Sequence, residues 1–557
     1  MAYNQPQHGG QADGYYNQSG QQDIYMQDQR KGYGQPVQYN GAPYQQQGGY
    51  QQQQGQYQQQ PYQQMDGPPP QQYPQQPPNY GNNMPPQNNA PKGKLSGFEQ
   101  TFKLDKPKYN DLWAALLFLA TFLGFVAVSG IAIHGYVLGG TGGIYGNQQL
   151  HLNSNTIILF AFVLAAAFFT SAAYFWMIRA FTKQAIWITG ILQIVFGVGT
   201  AIVYFARHYY SAAIVYLIFA VFYIFCFISW IPRIPFSVLM LQTVIDISKN
   251  YGHVFMVSTI GGFIATAFGA WFSVTMVSIY VRYYPGSEAC SAGGCSQAKV
   301  IGLLVFITFA GYWITEVIKN VIHVTVSGVY GAWYFCAQKP GGVPKGATRG
   351  AFKRSMTYSF GSISFGSLIV AIIQCLRQAC SIAQQNESAQ GNMLGACFFC
   401  CLQCLIGILD WAVQFINEYA FSYIALYGKA YIPAAKTTWT MMKDRGIDAL
   451  VNECLINPVL TMGAVFVAYL CSFLAYLYIT FTAPAYNQGG AFTVVVMAFA
   501  FLIGLQIANI FLVPIKSGVS TLFVAMAFDP EILINEYPDL WQRMIQVYPH
   551  VQQAVHV

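Results

Sequence analysis

The chain has 557 residues and a formal charge of +7, with 54% hydrophobic, 16% aromatic and only 8% charged residues. Soluble domains carry about a quarter charged residues, so this composition excludes a soluble globular protein and specifies a polytopic membrane protein. The small, scattered positive excess forms no basic tract, which excludes a nucleic-acid-binding role.

From Met1 to about Asn89 the sequence is Gln, Tyr, Gly, Pro and Asn with almost no aliphatic side chains, as in QQQQGQYQQQPYQQ. Such a segment buries too little apolar surface to offset its ordering entropy, so residues 1–95 read as a disordered, prion-like tail capable of self-association. It contains no apolar core of the signal-peptide kind, so the first span is expected to act as the signal anchor and the tail to stay cytoplasmic. Lys92, Lys94, Lys103, Lys106 and Lys108 then form a basic collar suited to the positive-inside rule and to anionic lipid.

Ten apolar stretches follow, at about 112–136, 156–178, 185–206, 210–231, 254–281, 300–335, 357–379, 396–416, 458–481 and 491–513. Each is near the ~20 residues a helix needs to cross ~30 Å of hydrocarbon. The predicted architecture is all-α, with a ten-helix membrane domain over 96–516 and an amphipathic cytoplasmic tail over 517–557 packed beneath it. Alternate loops collect the basic residues: Arg179 and Lys183; Arg233 and Lys249; Lys339 to Arg354; Lys429 to Arg445; Lys516. Positive-inside reasoning therefore puts both termini in the cytoplasm. Two further signals agree: the sequon at Asn386 lies in a loop counted as outside, and so do Cys290 and Cys295, spaced for a small disulfide.

The stretch from Lys299 to Phe335 stands out. At ~100° per residue, Tyr312, Trp313, Glu316, Lys319, Asn320, His323, Ser327 and Tyr330 share one stripe of an apolar helix. A charge in hydrocarbon costs at least ~2.5 kcal/mol on insertion scales, so this stripe faces a bundle interior or a wet cavity. One reading is a Glu316–Lys319 pair that only docks the helix on its neighbours. The other is a solute path, which His323 and Asn320 favour by extending the polar line beyond one ion pair. The stretch is too long for one perpendicular crossing, so it either tilts and projects or breaks near Gly311 or Gly328.

Small residues recur at Gly261, Gly262 and Gly269 and again at Gly361, Ser362, Ser364, Gly366 and Ser367, where close helix packing is expected. Residues 417–457 mix polar and apolar side chains and are expected to lie along the membrane surface. Cys397, Cys400, Cys401 and Cys404 in CFFCCLQC have no histidine beside them, so buried thiols or disulfides near the outer face are preferred over a metal. No H-E-x-x-H, G-x-S-x-G or phosphate loop occurs, and Glu316 and His323 lie ~10 Å apart along the helix, which suits proton coupling better than a shared catalytic centre. The reading is a non-enzyme without metal or cofactor.

TEVIKNVIHVTVSGVYGAWYF with the basic GATRGAFKRSMTYSFGSISFGSLIVAIIQCLR, the segment from CCLQCLIGILDW to AAKTTW, and KSGVSTLFVAMAFDPE closely resemble the choline transporter-like family over about residues 110–535. The nearest branch is the fungal one of pH-nine-sensitive proteins. The resemblance implies a ten-span plasma-membrane transporter for choline or a related organic cation. Such a cation is held by aromatic faces and a carboxylate. Trp313, Tyr312, Tyr330 and Glu316 supply those groups on one helix, with Asn320 and His323 beside them, and Trp271 or Tyr280 of the fifth span would close the box. Glu316, Lys319 and His323 would couple protons to transport. The alternative is a membrane scaffold or stress-response organiser that acts through the Gln-rich tail with little transport.

Overall fold

The computed structural model describes residues 108–138, 154–206, 208, 210–251, 253–285, 296–444, 456–484, 487, 493–549 and 551. The expected disordered tail and the Cys290–Cys295 disulfide lie outside the described residues. Among the described residues every regular element is helical. In chain order these are α1 (Leu112–Leu138), α2 (Ser154–Ala180), α3 (Thr182–Ala206), α4 (Tyr210–Trp230), α5 (Ile234–Asn250), α6 (His253–Tyr283), α7 (Gln297–Cys336) and α8 (Ala347–Met356). They continue as α9 (Phe360–Ala389), α10 (Met393–Tyr427), α11 (Tyr431–Asp444), α12 (Ile456–Thr482), α13 (Thr493–Phe528), α14 (Pro530–Glu536) and α15 (Pro538–Val547). Ten stretches among them are long and apolar enough to cross a membrane, the number the hydropathy predicts.

The boundaries differ where polar residues interrupt the apolar runs. α7 is a single helix of 40 residues that passes through Gly311 and Gly328 without a break. At 1.5 Å per residue it is ~60 Å long and extends well past a ~30 Å hydrocarbon layer. Gly311 serves packing instead, since a Cβ there would strike the Phe272 ring of α6. α10 likewise runs on to Tyr427 and buries Tyr419 to Leu426, so the first part of the 417–457 segment is core and not surface. Gly428, at φ +64°, ends it in the left-handed conformation that glycine adopts without a Cβ clash.

The boundary expected after residue 516 falls in the middle of α13. Hydropathy drops at Lys516 and Ser517, but Ser517, Ser520 and Thr521 are fully buried against other helices. Pro514 sits inside this helix and has no N–H to give to the carbonyl one turn earlier. Close to that interruption the Ser258 hydroxyl of α6 donates to the Phe511 carbonyl at 3.0 Å.

Two devices fix the end of the bundle where α7, α10 and α13 terminate. The first is a cap. Tyr330 donates to the Val244 carbonyl of α5 at 3.1 Å, Tyr334 to the Asp529 carbonyl at 2.9 Å, and Tyr537 to the Trp333 carbonyl at 2.9 Å. α5 lies between the fourth and fifth predicted spans, in the loop counted as inside for Arg233 and Lys249, yet eleven of its residues are buried and Phe236 packs on Phe523 and Tyr548. The second is a clamp at the entry to α1. The Asn110 side chain donates to the Gly428 carbonyl at 2.8 Å, while the Asp111 carboxylate accepts from the Ser362 hydroxyl at 2.6 Å and the Tyr431 amide at 2.8 Å.

The expected close approaches occur at Gly261 against Ile322, Gly262 against Phe511, Gly361 against the Asn110 and Asp111 carbonyls, and Gly366 against Phe421 and Tyr431. Gly269 has open space around it. Cys397, Cys400, Cys401 and Cys404 are free thiols and exposed, not buried. The bundle leaves them on the same uncovered side as Leu394, Phe398 and Leu405.

Candidate functional site

α7 carries its polar residues on two adjoining faces, and each face meets a different partner. Toward α9, the Trp313 indole donates to the Ser364 carbonyl at 3.0 Å and the Asn320 amide to the Ser367 hydroxyl at 2.9 Å. The small residues of α9 thus both let α7 approach and take its donors. Toward α10 and α13, His323 is held at both ring nitrogens. Its Nε2 lies 3.0 Å from the Glu418 carbonyl and 3.1 Å from the Ser422 hydroxyl, and its Nδ1 lies 2.8 Å from the Ser517 hydroxyl. A carbonyl only accepts, so Nε2 carries hydrogen, while the Ser517 hydroxyl at Nδ1 also lies 2.8 Å from the Val513 carbonyl one turn earlier in α13.

Charge alternates across this junction. Lys319 pairs with Glu316 at 2.7 Å, with Glu316 almost fully buried and Lys319 about a quarter exposed. The Gln374 amide of α9 reaches the same carboxylate at 3.5 Å. On α10, Glu418 accepts from Asn457 of α12 at 3.0 and 3.3 Å, and its carboxylate feels both Lys516 of α13 and Lys319 of α7. The order Glu316, Lys319, Glu418, Lys516 therefore sums to zero formal charge while drawing on three helices. Alternation of this kind offsets part of the cost of placing four ionisable groups in a membrane domain, because each has at least one neighbour of opposite formal sign.

Along the α9–α10 seam the line continues away from the cap. Asp410 is buried, accepts from Gln414 at 2.9 Å, and has Arg377 of α9 at 3.8 Å. Tyr312 of α7 is half-buried within the field of that same Arg377. Toward the cap, Asn417 donates to the Gly366 carbonyl at 3.1 Å and accepts from the Tyr431 hydroxyl. Burial pushes the Tyr431 phenol, in α11, up to about 12, so it remains a donor across the ordinary pH range. The result is a row of ionisable and amide side chains through the middle of the bundle.

The structure brings Tyr312, Glu316, Lys319, Asn320 and His323 onto this row. It does not gather the three other aromatic residues there. Trp313 is enclosed by Phe118 and Phe309, with ring centroids at 5.4 and 5.7 Å. Trp271 donates to Ser129 of α1 at 2.6 Å and packs on Phe122 and Phe125. Tyr330 lies seventeen residues beyond Trp313, ~25 Å along the helix, and is anchored at the cap. Asn386 is exposed in the last turn of α9.

A family model described as plasma-membrane choline transporter matches residues 214–531. The chain is 60% identical to Protein pns1 of Aspergillus fumigatus over 467 residues, which is 82% of this chain and 87% of the relative. It is 56% identical to Protein PNS1 of Gibberella zeae over 481 residues, or 85% and 89% of the two chains, and 48% identical to Protein PNS1 of Candida albicans over 467, or 82% and 90%. The chain belongs to the choline transporter-like family. It is a multi-pass membrane protein of that family's fungal branch, and the family points to transport and not to an enzyme.

Within this choline transporter-like chain, sequence reasoning missed Glu418, Lys516, Asp410, Gln374 and Asn457. A signal for the first existed. Asp410, Gln414, Asn417 and Glu418 recur at helical spacing on one side of α10, and Lys516, Ser517, Ser520 and Thr521 do so on α13.

Proposed function

We propose that this protein moves choline or a closely related organic cation across the plasma membrane, with both termini cytoplasmic. The observation that supports it is the alternating row Glu316, Lys319, Glu418 and Lys516 at the junction of α7, α10 and α13. A quaternary ammonium has no N–H to donate, so what it needs from the protein is a carboxylate whose existing cationic partner can be displaced. Glu418 fits, because Asn457 holds it in place and its lysines are neighbours and not tight contacts. Glu316 is the second counter-charge, paired with a Lys319 that is about a quarter exposed. The uptake test uses purified protein in liposomes with labelled choline inside or outside: saturable uptake is expected, and a verified folded preparation that takes up none removes choline as substrate.

His323 is the pH-sensitive element of this reading. It faces the Glu418 carbonyl and the Ser422 hydroxyl of α10 and the Ser517 hydroxyl of α13, with Lys319 of its own helix as the cation that acts on it. An imidazolium there would oppose an arriving cation, so initial uptake should rise with pH through the range in which the ring loses its proton. At fixed membrane potential, His323→Gln should flatten that profile. A mutant that folds and keeps the wild-type profile would take His323 off the path.

A further inference from the structure

Three helix C-termini meet at the capped end: α7 at Cys336, α10 at Tyr427 and α13 at Phe528. The Tyr334 hydroxyl of α7 donates to the Asp529 carbonyl at 2.9 Å, and the Tyr427 hydroxyl of α10 to the Asp529 carboxylate at 2.8 Å, so the three ends are tied at one residue. Each C-terminus presents carbonyl oxygens equivalent to about half a negative charge. Two carboxylates add to this. Asp529 follows α13 directly, Glu536 closes α14, and the Tyr334 phenol lies within the field of both.

Among the described residues neither carboxylate pairs with a lysine, arginine or histidine. The Glu536 Oε2 atom is closed off from solvent and has no hydrogen-bond partner. Around these groups stand aromatic rings: Tyr427 and Phe528 with centroids 5.5 Å apart, and Tyr334 stacked on Tyr537 at 6.2 Å. Accumulated negative charge, no basic partner and ring faces in place of water make a poor seat for a hard metal ion, which demands several oxygen ligands. They make a good one for a large cation without N–H groups.

We propose that Asp529 and Glu536, framed by Tyr334, Tyr427, Phe528 and Tyr537, form a second quaternary-ammonium site at the capped end, separate from the charged row within the bundle. The inference rests on the reading of the chain as an organic-cation carrier. An arriving cation takes the place of the Tyr427 hydroxyl at Asp529, and the released ring offers its face. The site is the last station on the way out of the row or the first on the way in, according to the direction of flux.

The test is equilibrium binding of labelled choline to the purified full chain in detergent, with tetramethylammonium as competitor. Two classes of site are expected in the wild type. Asp529→Asn combined with Glu536→Gln should weaken one class at least tenfold and leave the class that Glu418→Gln removes. Phe528→Leu keeps both charges and is mild enough to fold, and it should weaken the same class as the Asp529 and Glu536 pair. A single wild-type class abolished by Glu418→Gln, or two classes that survive all three substitutions at the capped end, overturns the second site while leaving the carrier reading intact. No binding of either cation to folded wild type overturns both.

Discussion

Glu418→Gln is expected to lower choline uptake by at least ~30-fold, on the ~2–5 kcal/mol that removing the buried carboxylate facing the bound cation would cost and ~1.4 kcal/mol per factor of ten. Glutamine keeps the length of the side chain and can still meet Asn457, so the volume and one polar contact survive. What goes is the negative charge between Lys319 and Lys516. The two ammonium groups then repel each other and any cation that approaches. A structural role and a transport role separate in the double variant Glu418→Gln/Lys516→Met. Removing both charges should restore the melting temperature towards wild type, because a neutral pair costs less to bury than a lone ammonium. Uptake should stay low, since the counter-charge is still missing. Recovery of uptake with stability would make Glu418 a structural residue only.

Gly361→Ala should be the most damaging single methyl group in the bundle. At several glycines of the bundle an added Cβ meets the far end of a side chain, which can turn: Ile322 at Gly261, Phe511 at Gly262, Phe272 at Gly311. At Gly361 it meets the backbone carbonyls of Asn110 and Asp111. Those carbonyls are pinned, because Asn110 is bonded to Tyr358 and Gly428, and Asp111 to Ser362 and Tyr431. Asp111 itself sits at φ +51°, a conformation a non-glycine residue keeps only when its surroundings hold it. Overpacking of a fitted contact costs ~1–3 kcal/mol and more where nothing can yield, so the detergent-solubilised variant should melt several degrees lower. Gly269→Ala, where an added Cβ meets nothing beyond its own helix, is the matched control and should melt no lower than wild type. Equal melting of the two variants would show that the clamp can relax.

Most of the transmembrane scaffold was legible in the sequence because hydropathy reports it directly. A run of apolar residues has few ways to avoid a bilayer, and the ten runs reappear as ten candidate spans. What hydropathy does not report is where a helix ends once polar residues begin. Lys516 and Glu418 lie at the edges of their apolar runs, where a charge ordinarily marks the membrane surface. Here α10 and α13 continue past them, because their neighbours supply partners. The Glu316–Lys319–His323 stripe could be found from one helix alone, since its charges stand inside an apolar segment. Its partners could not, because pairing Glu418 with Asn457, or His323 with Ser517, requires knowing which helices touch.

The aromatic residues illustrate the opposite failure. Trp313 and Tyr330 lie on the same stripe as Glu316, and periodicity alone offers them as one box. Helical rise separates them by ~25 Å, and each is already committed, Trp313 to Ser364 and Tyr330 to Val244. Aromatic residues and carboxylates without a basic partner do come together at the capped end, from three helices and the α14–α15 segment, a combination with no periodicity to betray it.

Counterflow of labelled choline in liposomes, measured for wild type beside Glu418→Gln and Glu316→Gln at equal protein density, tests the charged row most directly. Counterflow needs no driving force, so it reports passage through the protein independently of proton coupling or potential. The row as a cation path predicts saturable counterflow in the wild type, its near loss in Glu418→Gln and a clear reduction in Glu316→Gln. Wild-type rates in both variants, with all three proteins folded, would contradict it.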